Sequence, residues 1–227
     1  MKKLTGIILL LAMVVAMNAQ DGDLKKQTYF RFGFSLPSWK YVGNENRDDW
    51  GGDFTKRAGG IFEVGNIFML NSIKLSPGMR IGINVDYLSL VYNRFAFDNS
   101  LYLKSSNFMF FGSKIGPSFS YSPVQHLTFD AYFKFNPVWA AANYTALIDD
   151  TAGDNFYLGF MGIKYSVGLN VRYSLLMVGF EFNPGFAKMK YFDDDAGEFT
   201  DVYYSNVNDN GKKTPVPAMN FTVGLSF

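Results

Sequence analysis

The sequence predicts an all-β chain: an eight-stranded antiparallel up-and-down transmembrane β-barrel with four long outward loops. Three observations predict it. Apolar and polar residues alternate with the two-residue period of a strand whose faces differ. The composition sets 24 phenylalanines and 14 tyrosines beside 22 glycines, with charged residues held to 18%. The connections between alternating segments are short and long by turns, so an up-and-down barrel would carry its long loops on one rim.

The first element is an address. Lys2-Lys3 precede an apolar run from Gly6 to Met17, and Asn18-Ala19 precede Gln20, the layout of a secretory signal peptide cut after Ala19. The run falls short of the roughly 20 apolar residues that a membrane helix needs. The division expected is 1–19 signal peptide and 20–227 barrel domain.

Eight strands follow, at about 27–36, 60–70, 79–92, 107–121, 127–136, 157–172, 175–189 and 217–227. In the fifth, Leu127, Phe129, Ala131, Phe133 and Phe135 oppose Thr128, Asp130, Tyr132, Lys134 and Asn136. In the sixth, Met161, Ile163, Tyr165, Val167, Leu169 and Val171 oppose Gly162, Lys164, Ser166, Gly168, Asn170 and Arg172. The second strand fits worst, because Ile67 and Met69 fall on its polar face. Ser76-Pro77-Gly78 and Ser122-Pro123 supply turn chemistry for short connections. The long connections are 37–59, 93–106, 137–156 and 190–216.

Alternation alone also suits a soluble sandwich or lipocalin. The polar face decides otherwise. It is Gly, Ser, Asn and Thr with one or two charges per strand, as a narrow lumen needs, whereas a solvated face would be dense in Lys and Glu. The apolar face runs for five to seven positions per strand, enough for an apolar band about 25 Å tall. Tyr29, Phe30, Tyr87, Tyr92, Phe108, Tyr121, Phe135, Tyr157, Tyr173 and Phe227 lie near strand ends, where an interfacial girdle belongs. In lipid only a closed sheet satisfies every backbone group.

The Asn18-Ala19-Gln20 junction, the eight alternating strands, the one-sided long loops and Phe227 together resemble a small Gram-negative outer-membrane β-barrel of the OmpX-like or OmpA transmembrane-domain class, Bacteroidota type. The resemblance covers 20–227 and is one of architecture. It implies contact with outer-membrane lipid and lipopolysaccharide. It also implies that the barrel-assembly machinery reads the last strand, through Met219, Phe221, Val223, Leu225 and Phe227.

The strand charges Arg31, Glu63, Arg80, Asp86, Lys114, Asp130, Lys134, Lys164, Arg172 and Glu181 all fall on inward positions. A one-residue slip of any strand would turn its charge to lipid, at roughly 2–4 kcal/mol for Lys or Arg at the midplane. Counting residues from the short turns sets Glu63, Asp86, Lys114, Lys134, Lys164 and Glu181 at one level, a salt-bridge layer filling the lumen.

The function classes narrow accordingly. No cysteine, one histidine and a net charge of +1 leave no thiol chemistry, little room for a triad, and no reason to expect nucleic acid. His126 lies in a short turn, opposite the long loops. Asp149-Asp150 and Asp193-Asp194-Asp195, the carboxylate pairs open to acid–base work, sit in loops rich in Gly, Asn and Asp and read as solvated surface. Asp193–Glu198 lacks EF-hand spacing, and neither a cofactor nor a metal is expected. Trp39, Trp50 and Trp139 lie in or beside long loops, suited to recognising another surface protein, a saccharide or a lipid. The reading is a non-enzymatic outer-membrane protein acting through its loops. The alternatives are a narrow small-solute pore and a lipid-modifying enzyme.

Overall fold

The computed structural model describes residues 26–38, 53–70, 72–73, 75–98, 103–146, 155–193, 198–201 and 214–227. The signal segment Met1–Ala19, Trp39, Trp50, Asp149-Asp150 and Asp194-Asp195 lie outside them. Six strands, β1 (Lys26–Pro37), β2 (Asp53–Met69), β3 (Met79–Asp98), β4 (Leu103–Val124), β5 (Leu127–Ala146) and β6 (Asn155–Tyr173), each pair antiparallel with the next. β7 (Leu176–Asn183) and β8 (Gly185–Asp193) form one stave interrupted at Pro184, and both pair with β6. β9 (Glu198–Asp201) doubles back on β8. β10 (Thr214–Pro215) and β11 (Ala218–Ser226) make the last stave, pairing with β8 and β7. β11 returns to β1 from Tyr29↔Ser226 to Pro37↔Ala218, and the sheet closes as an eight-stave antiparallel barrel.

Proline marks both interruptions because it cannot donate to the ladder. At the first, Tyr165 N still donates to Pro184 O at 2.7 Å, so the stave bends without leaving the wall. The turn rim is tight: Gln125-His126 and Ser174-Leu175 join their strands, with His126 at φ 67° and Ser174 at φ 54°.

The strands run further than the sequence pattern indicates. β3 continues to Asp98 and β4 begins at Leu103, so much of the predicted connection 93–106 is wall; β5 likewise runs on to Ala146 within 137–156. The alternation fades where the inward face turns apolar, as at Val138 and Ala140 of β5, whereas the ladder continues. At ~3.3 Å per residue, the 20 residues of β5 are about twice the 9–11 that span a bilayer when tilted. The wall therefore rises beyond the membrane on the β3–β6 side. Trp139 is one correction that follows: it stands in β5, outward, its ring 6.0 Å from that of Phe111.

The distribution of side chains is inside out. Phe34 is 68% exposed, Tyr173 63% and Leu169 60%, and large apolar residues cover every stave. Nine of the ten predicted lumen charges are buried within, and Arg80 is half-buried. An exposed apolar surface of this extent far exceeds the few hundred Å² that a soluble monomer carries. The bilayer is the solvent of this face.

A bulge in β3 re-aims side chains. In β3 the register shifts between Asp86 and Ser89, so Tyr87 and Leu88 both point outward and Ser89 resumes the lumen face. The same extra residue shows against β2, where Val64 faces Leu88 and Gly65 faces Asp86, while β2 itself keeps one parity from Ile61 to Met69. Below that point Ile67 and Met69 are buried in the lumen with Tyr29 and Met177. The apolar pair that spoiled the predicted alternation is thus an apolar floor. Tyr29 and Phe108, expected in the interfacial girdle, are both fully buried instead.

Candidate functional site

Above the floor, the lumen is crossed by an ion network with Arg31 of β1 at its centre. Arg31 Nε is 2.5 Å from Glu63 Oε2 on β2, and Nη2 is 3.0 Å from Glu181 Oε2 on β7 and 4.0 Å from Asp86 Oδ2 on β3. Lys114 of β4 bridges Glu63 Oε1 at 2.5 Å and also meets Glu181. Lys134 of β5 lies 2.6 Å from Asp86 Oδ2. Three cations thus balance three carboxylates, contributed by six staves. Neutral donors complete the shell. Arg31 Nη1 donates to Tyr132 Oη and to Asn170 Oδ1, each at 3.0 Å; Tyr132 Oη donates to Glu181, and Ser89 Oγ to Glu63 Oε1. The Tyr29 hydroxyl is 2.6 Å from Asn84 Oδ1 and also contacts Asp86. The Lys134 ammonium lies over the Tyr132 ring, 4.3 Å from its centroid, a favourable place for a cation.

Two glycines make room for the tyrosines. Gly168 pairs across the ladder with Tyr132, and Gly65 with Tyr29. A Cβ on Gly168 would lie 2.3 Å from Tyr132 Oη, and one on Gly65 2.6 Å from Tyr29 Oη. Each ring lies flat over its neighbour's bare Cα, which directs both hydroxyls into the charged layer.

Nearer the turns is a separate pair. Arg172 grips Asp130 through Nε at 2.6 Å and Nη2 at 2.7 Å, and Ser120 Oγ donates to Asp130 at 2.5 Å. Arg80 is half-buried and donates to Met79 O. The level counted from the turns thus needs one exchange. Arg31, left out of it, is the hub, and Lys164, counted in it, makes no ion pair among the described residues. Barrel shear displaces residues equidistant from their turns, which residue counting ignores. Tyr29 and Tyr132 were missed as network members; the signal was there in Tyr132, on the polar face between Asp130 and Lys134.

Beyond the network come Asn136, Asn183 and Asn220, and then an apolar layer of Phe108, Phe110, Val138, Ala187, Val216 and Ala218, all buried. From turn rim to far rim the lumen reads floor, ions, amides, roof. Glu63, Asp86 and Glu181 bring carboxylate oxygens within 4.8 Å of one another, a metal-like grouping, but Arg31, Lys114 and Lys134 already occupy the positive positions. On the outer face of the closing strand, Met219, Phe221 and Val223 are exposed, and Leu225 and Phe227 partly so. Phe227 exchanges backbone hydrogen bonds with Thr28 at 2.8 Å.

No family model matches the chain, and no curated protein matches it. Solved structures do. The attachment invasion locus protein Ail of Yersinia pestis aligns at 12% identity and a TM-score of 0.46, over 90% of this chain and 100% of that one. The outer-membrane protease OmpT of Escherichia coli aligns at 10% identity and a TM-score of 0.47, over 92% and 99%. Neisserial surface protein A aligns at 8% identity and a TM-score of 0.42, over 91% and 96%.

Proposed function

We propose that the chain is a non-enzymatic outer-membrane protein: a plugged barrel that anchors and displays its outward segments, through which it contacts another surface protein, a saccharide or a lipid. The observation that carries this reading is a lumen closed in layers inside an apolar exterior. Among the described residues, side chains fill the interior in successive layers, as an eight-stranded barrel allows. The wall above the membrane and the segments 38–52 and 202–213 are then what the outside meets. In this reading the signal segment directs export, lipopolysaccharide meets the aromatic exterior, and the barrel-assembly machinery engages the outward row from Met219 to Phe227. Trp39 and Trp50 remain candidates for recognition. Trp139, on the lipid-facing wall beside Phe111, fits the membrane interface.

The test has two parts. The folded protein should sediment with outer membranes and migrate differently on a denaturing gel before and after boiling. Deleting 202–213 should leave that heat-modifiable band and abolish co-purification of a cross-linked surface partner. The deletion is confined to these residues because Tyr191–Asp193, β9 and β10, inside the predicted last loop, pair into the wall. A band unaffected by boiling would refute the barrel anchor. An intact band with capture unchanged would refute the display role of this segment.

A further inference from the structure

Lys164 is the buried lumen cation that meets no carboxylate among the described residues. It is 6% exposed, on β6 opposite Asn136 of β5 and Gly185 of β8. Glu63 and Glu181 are taken by Arg31 and Lys114, Asp86 by Lys134 and Asp130 by Arg172. The Lys164 ammonium lies over the Phe110 ring, 5.2 Å from its centroid. An ammonium removed from water with no counter-charge is among the costliest arrangements in a protein interior.

It is not packed against nothing. Lys164 lines a cavity of about 10 Å³, the room of one water-sized occupant, between the ion layer and the apolar roof. Asn136, Asn183, Asn220, Ser89 and Lys114 share the lining. Three of these amides end there unsatisfied. Asn183 Oδ1 accepts from Ser166 at 2.5 Å, but its Nδ2 has no partner, and neither Asn136 Oδ1 nor Asn220 Oδ1 has one. Amide oxygen and nitrogen interchange by a flip of the side chain, so Asn136 and Asn220 can each turn an NH2 toward an occupant.

We infer that this chamber binds one small monovalent anion of the halide class, held by the Lys164 ammonium and the Asn183 amide and covered by Phe110. The charge requirement favours an anion over water, because an anion supplies the counter-charge that the described chain withholds. The cavity size excludes phosphate, sulfate and carboxylate ligands. The amides supply the neutral donors that a desolvated halide needs, and the adjacent ion layer, balanced in itself, neither competes for the anion nor provides one.

The experiment uses the full chain in detergent, crystallised from sodium bromide, with anomalous scattering as the readout. A bromide peak in contact with Lys164 Nζ, lost in Lys164→Met, is expected. Methionine keeps the stem that packs on Phe110 and removes the charge. In solution, the wild-type unfolding midpoint should be several degrees higher in sodium chloride than in sodium gluconate of equal ionic strength, since gluconate is too large to enter. Lys164→Met should show no such difference. Should that variant not fold, the wild-type bromide peak and the chloride–gluconate comparison decide alone. A water at the position, a carboxylate of the chain's own outward segments seated on Lys164, or midpoints indifferent to the anion would each overturn the inference.

Discussion

Arg31 and Lys134 differ in how replaceable they are, although both are fully buried. Asp86 has Lys134 at 2.6 Å and Arg31 only at 4.0 Å, so Lys134→Ala leaves a buried carboxylate without close charge. Removing one partner of a buried pair costs about 3–5 kcal/mol, and the unfolding midpoint in urea should fall accordingly. Adding Asp86→Asn should return much of the loss, because the orphaned charge goes with its partner; a double variant as weak as the single would show that packing, not charge, was lost. Arg31→Met should be the more damaging change, as it leaves Glu63 and Glu181 to share Lys114 alone and removes the bonds to Tyr132 and Asn170. The same accounting bears on metals. Glu63, Asp86 and Glu181 cluster as cation ligands do, but each already faces Lys or Arg, so neither EDTA nor millimolar calcium should move the wild-type midpoint. A calcium-dependent rise would mean that the lysines leave the carboxylates to the ion. The inward set of ten charges was legible from parity, because strand period fixes facing. Their partners were not, because pairing depends on shear, which no single strand encodes.

At the scale of the strand, the contacts between Tyr132 and Gly168 and between Tyr29 and Gly65 link backbone composition to the charged layer. A Cβ on Gly168 falls within 2.7 Å of three atoms of the Tyr132 ring system, and overpacking of this kind typically costs about 1–3 kcal/mol. Gly168→Ala should therefore lower stability by about that amount, and it should do so through Tyr132. In the background of Tyr132→Ala the glycine substitution should be nearly neutral, a coupling that a double-mutant cycle reads directly. Equal cost in both backgrounds would place the effect in the backbone instead. The same strands show what a periodic pattern conceals. Ile67 and Met69 look like errors in the alternation of β2, and Tyr87-Leu88 interrupts that of β3, yet the first pair builds the floor and the second is a bulge. A bulge changes parity at one residue with no composition signal of its own, as here where Tyr87-Leu88 contains neither glycine nor proline. The upper half of β5, and shorter upper stretches of β2, β3 and β4, were misread as loop for a related reason: in β5 the inward residues Val138 and Ala140 are themselves apolar and buried, so no polar face marks the alternation.

For the whole molecule, closure and the inverted distribution of polarity were readable in advance because lipid imposes them on every strand at once, so errors in single strands do not accumulate. The lumen is a different matter, as its layering arises only when eight staves come together. That layering makes the last prediction. Floor, ion network and roof are three obstacles in series: Ile67, Met69 and Met177 below, the six charges in the middle with Tyr29 reaching up to them from the floor, and Phe108, Phe110 and Val216 among those above. A solute must cross all of them, so opening one does not make a channel. In planar bilayers the wild type should show no conductance steps, and neither should a floor variant combining Ile67→Ala, Met69→Ala and Met177→Ala, or a roof variant combining Phe108→Ala and Phe110→Ala. The floor variant should nevertheless lose stability, at about 2–5 kcal/mol for each large-to-Ala change in a packed interior, which confirms that the substitutions reached the lumen. Ion steps in the wild type would return the small-solute pore to first place. Steps in the floor variant alone would show that the charged layer is a permeable path for ions rather than a plug, with the floor as its gate.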